Sequence, residues 1–507
     1  MNDSRDPLQP SPPVAVTPAA SPRRVGPPTT RASGFWTTFG ALALAALGFA
    51  LLQAMVVPAL PNLQRSLHTS TTSVTWVLTA FLLSASVATP IAGRLGDMFG
   101  KRRILLIILS ALAAGTIICG AATSVEVLIF GRVLQGLGAG VFPLAFGIVR
   151  EEFPADKAAT GIALIAAILG VGGGLGIVLA GPIVENFSYH WLFWFPLIGI
   201  AVSLIAALAV VPESRMRAPG QVNLLGAALL SGWLVALLLG FSQAPEWGWT
   251  SVRTLGLFAA ALVLAVTWVI AEARSRQPLI DMPVMRRRGV WTVNAVGLVL
   301  GIGMFGIFIL VPQMVELPEA TGVGFGSSIT EAGLFLVPST VMILVVSPLA
   351  GRMDSMVGSK VPLVLGSLFA LASYILLAAE HSHRVDIYIA TTLLGIGIGF
   401  AFSAMTNLIL AAVDPEDTGQ ATGINTVTRT IGGAIGGAVF ASILSSNLVS
   451  GAPSDHAFTV SFTIGAVALG VATVAALAVP GRGRAKEADF DPSQSPPRVD
   501  PQGSQGV

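Results

Sequence analysis

The sequence predicts an all-α membrane protein of fourteen spans, built as two similar six-helix halves with two additional spans between them. Charged residues make up only 11% of the 507 residues and hydrophobic ones 53%, with a mean hydropathy of +0.79. A soluble domain carries about 25% charged residues, so the surplus apolar surface here calls for lipid as its solvent. Fourteen apolar runs approach the length of about 20 residues that crosses a bilayer. The third observation is a repeat. Pro90-Ile-Ala-Gly-Arg-Leu-Gly-Asp-Met-Phe-Gly-Lys-Arg-Arg103 returns as Pro348-Leu-Ala-Gly-Arg-Met-Asp-Ser-Met-Val-Gly-Ser-Lys360, 258 residues later. Pro, Ala, Gly, Arg, Met and Gly recur in register, and each copy links two apolar runs by a short basic turn. Phe153-Pro-Ala-Asp-Lys-Ala-Ala-Thr-Gly161 echoes Asp414-Pro-Glu-Asp-Thr-Gly-Gln-Ala-Thr-Gly423 in the same order. Two similar halves imply a rocking transporter with its binding site between them.

Residues 1–34 are rich in Pro, Ser and Arg and read as a disordered tail. The N-terminal half, 35–211, holds runs near 35–60, 74–93, 104–122, 127–149, 160–183 and 191–211. The first run starts too late and is too long for a secretory signal, so it reads as a retained span. Residues 212–289 hold the additional runs near 222–241 and 252–272, the former blurred by Gly220 and the loop 243–249. The C-terminal half, 290–480, holds runs near 290–313, 329–350, 361–379, 386–412, 422–446 and 457–479. Residues 481–507 resemble the first tail in composition.

Charge placement supports this map. With alternating spans, 23 of the 28 Lys and Arg fall on one side; Arg65, Arg253 and Arg384 fall on the other, and Arg132 and Arg429 lie within spans. The positive-inside rule then predicts a multi-pass protein of the plasma or inner membrane with both termini cytoplasmic.

Several function classes are excluded. A net charge of +2 says nothing by itself about nucleic acid; what matters is where the charges sit, and no nucleic-acid partner is expected. The lone Cys119 cannot form an intrachain disulfide. Gly301-Ile-Gly-Met-Phe-Gly306 matches a dinucleotide fingerprint but lies in an apolar run with no strand before it, so it reads as helix packing. Gly100-Lys101 lacks the rest of a P-loop, and no HExxH or GxSxG is present. His381 and His383 form an HxH in an outer loop and read as solvated rather than metal-binding. No enzyme activity, cofactor or metal is expected.

Gly93-Arg-Leu-Gly-Asp-Met-Phe-Gly-Lys-Arg-Arg103 resembles the signature between spans 2 and 3 of the major facilitator superfamily. Phe130-Gly-Arg-Val-Leu-Gln-Gly-Leu-Gly-Ala-Gly140 is similar to its span-4 motif. The six-two-six layout and Trp76-Val-Leu-Thr-Ala80 resemble the fourteen-span drug:proton antiporter branch. The resemblance covers roughly 35–480 and implies a secondary active transporter that exports amphipathic or drug-like small molecules by alternating access. A metabolite facilitator or importer is the alternative within transport, and a non-transporting receptor or scaffold is the alternative outside it. The implied partners are a small-molecule substrate, membrane lipids and, if coupled, protons, with the chain acting as a monomer. Two departures bear on coupling. Gln53 stands where the branch carries a span-1 carboxylate, and the span-5 antiporter motif aligns with Gly176-Ile-Val-Leu-Ala-Gly181, which lacks its proline. Both predict weak or absent proton antiport.

Asp97 can pair with Arg94 or Lys101, or sit at a helix N-terminus of the other half, holding an inner gate shut; the alternative is that these basic residues only anchor topology. Arg132 and Arg429 are the deepest charges. An Arg at mid-membrane costs about 2.5–3.5 kcal/mol on insertion scales, so each should face the bundle interior. Gln135 and Asn425 lie one turn away and offer each arginine a polar face. Arg132 could meet an anionic substrate, a carboxylate or backbone carbonyls, whereas Arg429 could also snorkel toward the cytoplasm. With Gln53, these are the candidate substrate or coupling residues. Gly136 and Gly140, Gly174 and Gly181, and Gly432 and Gly436 are candidate packing or hinge glycines. Met55, Trp76, Met304, Phe305 and Phe308 could line an apolar cavity.

Overall fold

The computed structural model describes residues 32–214, 223–275, 278–414, 417–449 and 451–480. Fourteen helices are long and apolar enough to cross a membrane. Spans 1 to 6 are Phe35–Leu60, Trp76–Phe99, Lys101–Ala121, Val125–Glu152, Lys157–Asn186 and Trp191–Val210. Spans 7 and 8 are Leu224–Trp247 and Val252–Arg274. Spans 9 to 14 are Arg288–Glu316, Ile329–Asp354, Lys360–Ala379, Arg384–Ala412, Thr418–Ser446 and Asp455–Ala478. Of the expected tails, only 32–34 fall among the described residues, and they already belong to the first helix.

The helices start and stop where local chemistry directs. Ser70, Ser124, Ser251 and Ser454 each accept a hydrogen bond from a first-turn amide and so cap spans 2, 4, 8 and 14. Gly100 and Gly358, at the same position of the two repeats, take φ of 104° and 82°. Only glycine enters that region freely, so each repeat reverses the chain in one residue. The repeated segment is therefore not the loop its charges suggested. The helix of span 2 runs on to Phe99 and that of span 10 to Val357, which puts Arg94 and Asp97 inside a helix.

The halves meet along two seams that follow the internal repeat. At one, Gly93 of span 2 crosses Gly419 of span 13; a Cβ on Gly93 would lie 2.3 Å from the Gly419 carbonyl oxygen. At the other, Gly351 of span 10 crosses span 5, where a Cβ would lie 2.9 Å from the Thr160 Cα. Gly93 and Gly351 are equivalent positions of the repeat, so one backbone crossing is used twice. Further along the second seam, Gly174 faces Thr340 and Gly181 faces Thr330.

Spans 7 and 8 lie against the first seam. Leu230, Leu234 and Trp268 form a cluster with Leu279, Ile280 and Val427, joined by Ile91 of span 2 and Ile424 of span 13. Polar contacts continue it: Thr79 with Ser242 at 3.0 Å, and Trp249 donating to Ser442 at 2.8 Å.

Span 4 is not uniformly α-helical. A 3₁₀ turn, Leu137–Gly140, interrupts it between two α-helical stretches. Gly136 and Gly140 sit at its edges and fit tightly against Ser84 of span 2, and against Ala92 and Ile108 of spans 2 and 3. Gly432 and Gly436 approach Leu298 and Ile302 of span 9 within one half. Among the six glycines expected to pack or hinge, Gly174 and Gly181 are the ones at an inter-half seam.

Candidate functional site: an inter-half lock and two buried arginines

Asp97 ends span 2 on the side that carries the two repeats, the basic end. It is 1% exposed, and its Oδ2 accepts from the backbone amides of Gly419 at 3.0 Å and Gln420 at 3.3 Å. Those amides belong to the first turn of span 13, whose N–H groups have no partner within the helix and carry the positive end of its dipole. A carboxylate of one half thus caps a helix of the other. Lys101, one turn on, lies 3.3 Å from Asp97 and 2.5 Å from Glu151 of span 4, so one buried ammonium is shared by two carboxylates.

Of the three partners expected for Asp97, Lys101 and the helix N-terminus are found and Arg94 is not. Among the described residues no ion pair within 4 Å joins Arg94 to Asp97. Arg94 sits instead within electrostatic reach of Glu272 and Asp417. Asp417 lies just outside span 13. Burial there pushes its carboxyl above the ordinary range; Asp281 and Asp414 add to this, while Arg94 and Gln420 oppose it.

The structure adds residues that the sequence did not single out. Arg150, at the basic end of span 4, donates to the Val413 carbonyl at 3.1 Å and to Thr418 Oγ1 at 2.6 Å, a second tie across the halves. Gln420 is a hub: its amide donates to Asp97, its side chain donates to Asp417, and its Oε1 accepts from the Asp281 amide at 3.1 Å. The chain after span 8 is thereby fastened to the lock. The echo between 153–161 and 414–423 was the one sequence signal that these two loops occupy equivalent places.

Arg132 is fully buried. Its Nε donates to the Val77 carbonyl at 3.0 Å and its Nη1 to the Leu52 carbonyl at 3.0 Å and Gln135 Oε1 at 2.9 Å. Gln135 in turn donates to Thr116 Oγ1 at 3.1 Å, and the guanidinium lies 4.0 Å over Phe81. Spans 1 to 4 therefore share one polar node. Of the partners considered for Arg132, backbone carbonyls are the ones present. Gln53, beside the bonded Leu52 carbonyl, is half-buried.

Arg429 faces the bundle interior, the first of the two placements expected for it. It does not snorkel: it is 4% exposed, because the helix begins at Thr418, well before the apolar run that marked span 13. Asn425, expected to offer it a polar face, makes no hydrogen bond to it among the described residues; its Nδ2 donates to Asn294 at 2.9 Å. Arg429 lies 4.2 Å over Phe402 and bonds Thr426 at 3.4 Å. His381 is a further correction: it is buried, between the Leu377 carbonyl at 2.7 Å and Asp455 at 2.9 Å, rather than solvated.

Arg132→Ala is expected to destabilise the protein by about 2–5 kcal/mol, the range for truncating a large buried side chain. Arg429→Ala, which removes one hydrogen bond, should cost less. Thermal melts of the detergent-solubilised variants, followed by size exclusion, check this; equal losses would contradict the ranking.

Comparison with known proteins agrees with this architecture. The profile of the Major Facilitator Superfamily matches residues 42–436 and 296–501. The chain is 30% identical over 419 residues to the Tetracenomycin C resistance and export protein of Streptomyces glaucescens, covering 81% of this chain and 74% of that protein. It is 30% identical over 391 residues to the Multidrug resistance protein Stp of Mycobacterium tuberculosis, covering 76% and 72%. The crystal structure of the human organic anion transporter MFSD10 (TETRAN) superposes with a TM-score of 0.60 at 17% identity, over 87% of this chain and 98% of that one, a likeness of fold alone. With its fourteen spans, its repeated motif and matches along most of its length, the chain belongs to the Major Facilitator Superfamily.

Proposed function

We propose that this protein exports amphipathic, drug-like small molecules by alternating access between its two six-helix halves, powered by a gradient rather than by ATP. The observation that carries this is the Asp97 cap on span 13. It is a buried charge contact between the halves at the basic end, whereas the opposite end carries an exposed one, Glu185 accepting from Thr330 at 2.8 Å, so the basic-end contact is the one whose making and breaking costs most. Relatives named for tetracenomycin export and multidrug resistance supply the substrate class and direction. The chain is taken as a monomer of the plasma or inner membrane, with the basic end and both termini cytoplasmic; the distribution of Lys and Arg supports that orientation. The proposed domains are 35–211, 212–289 and 290–480, with Arg94, Asp97 and Lys101 as inner-gate residues. A susceptibility panel in an efflux-deficient host, with and without this gene, tests the reading. Raised resistance to several amphipathic compounds, abolished by collapsing ion gradients, is expected; strict ATP dependence in vesicles would contradict it.

Proton coupling is proposed to be weak. Gln53 cannot exchange a proton near neutral pH, and the charges deepest in the described spans are two arginines. Substrate-evoked proton movement in proteoliposomes should be small for the parent and larger for Gln53→Asp, where Arg132 bonds the carbonyl just before the new carboxylate. Robust proton movement by the parent that survives neutralising Asp97, Glu126 and Glu331 one at a time would show that the carrier lies elsewhere.

A further inference from the structure

We propose that Arg429 reads the anionic head group of the substrate, a carboxylate or phenolate on an amphipathic body, so that this transporter selects organic anions over organic cations. The inference rests on the export reading and names its substrate class. Arg429 lies about 17 Å along span 13 from Thr418 at 1.5 Å per residue, close to the middle of the bilayer. Its Nη2 makes one long hydrogen bond to Thr426, while its Nε and Nη1 are buried with no hydrogen-bond partner among the described residues. Span 13 contains no Asp or Glu. No ion pair within 4 Å reaches Arg429 among the described residues, and Asn425, one turn away, donates its Nδ2 to Asn294 and makes no hydrogen bond to Arg429 among those described.

A guanidinium stays charged in proteins and presents five donors in a planar fork that matches a carboxylate. Buried donors without acceptors are rare and costly, and an unpaired buried charge more so. Stacking on Phe402 satisfies the face of the guanidinium but none of its N–H groups. A Cβ on Gly297 would lie 3.4 Å from both Arg429 and Met405 and 3.5 Å from Asn425, so these side chains pack around one point, and the flexible thioether of Met405 is the element there best able to yield to a ligand.

The second arginine points the same way. Arg132 is fully buried, lacks an ion pair among the described residues, and its Nη2 also has no hydrogen-bond partner. Gln53 adds no negative charge. The interior is therefore positive in both halves, and in a low-dielectric setting that field attracts an anion and repels an ammonium. Position links binding to movement: Arg429 is on the helix whose first turn Asp97 holds. An anion seated at Arg429 acts on the element that must move when the lock opens.

The test is equilibrium binding of three fluorescent probes to the purified full chain: pyrenebutyrate, its neutral methyl ester, and pyrenebutylamine. The parent should bind the carboxylate about tenfold or more tightly than the ester or the amine, the scale of one hydrogen bond to a charged group. Arg429→Gln should remove the preference and Arg429→Lys should keep part of it, a pattern that a merely structural role would not give. Equal or tighter binding of the amine, no binding of the carboxylate, or a preference that survives Arg429→Gln would each overturn the inference. Export is scored separately by the susceptibility panel. Anion preference without export sinks the export reading alone, and export with amine preference sinks this inference alone.

Discussion

Asp97→Asn is expected to leave the protein folded and inserted while lowering transport about tenfold or more at equal expression. The substitution keeps shape but replaces a charged acceptor with an amide. In the locked state Asp97 Oδ2 serves two backbone donors of the other half, Gly419 and Gln420. A hydrogen bond to a charged group is worth about 1.5–3 kcal/mol, and each 1.4 kcal/mol is tenfold in an equilibrium. Losing it removes stabilisation from one state only, so the population shifts toward an open basic end and the cycle stalls. Lys101 keeps its contact with Glu151, which is why folding should survive. Uptake of an exported compound into inverted vesicles measures the effect. Parental transport would demote Asp97 to a topology feature.

Gly93→Ala should be at least as damaging, although it adds a single methyl group. Its Cβ would stand 2.3 Å from the Gly419 carbonyl oxygen and 2.6 Å from the carbonyl carbon, both backbone atoms that no rotamer change can move aside. Closing the basic end would then require spans 2 and 13 to separate, which also pulls Asp97 away from its amides. A contact built on small residues fails in this way when one of them grows. Gly40→Ala is the control: nothing lies within 4 Å of a Cβ there, and alanine favours the helix by about 1 kcal/mol over glycine. Transport should be lost in the first variant and kept in the second. Normal transport by Gly93→Ala would mean that the seam does not close this tightly during the cycle.

The number and order of spans were legible because hydropathy and the alternation of basic loops report the same thing, contact with lipid. Their ends were less so. Sequence reading stopped span 2 at its first charge, near 93, yet the hydrogen-bond ladder continues to Phe99 and makes Asp97 a helical residue. Polarity ends lipid solubility, not helix. The same error left snorkelling open for Arg429, since the polar turn Thr418-Gly-Gln-Ala421 looked like loop and put the arginine too near the span's end. Asp97 was foreseen because the charge and the helix N-terminus obey general electrostatics. Arg150 and Gln420 were not, because what defines them are partners such as Thr418, 268 residues from Arg150, and Asp97, 323 residues from Gln420. His381 was misjudged for the same reason, its partner Asp455 being 74 residues away.

The two halves are proposed to rock, opening one end as the other closes, with the Asp97 lock favouring closure of the basic end. Paired spin labels measure this directly, after replacing the single buried Cys119 with serine. One pair, at the exposed residues Arg103 and Met356, reports on the basic end; a second, at Glu126 and Val385, reports on the opposite end. Relative to the parent, Asp97→Asn should lengthen the Arg103–Met356 distance distribution and shorten the Glu126–Val385 one. Distributions that do not move, or that lengthen together at both ends, would contradict the account.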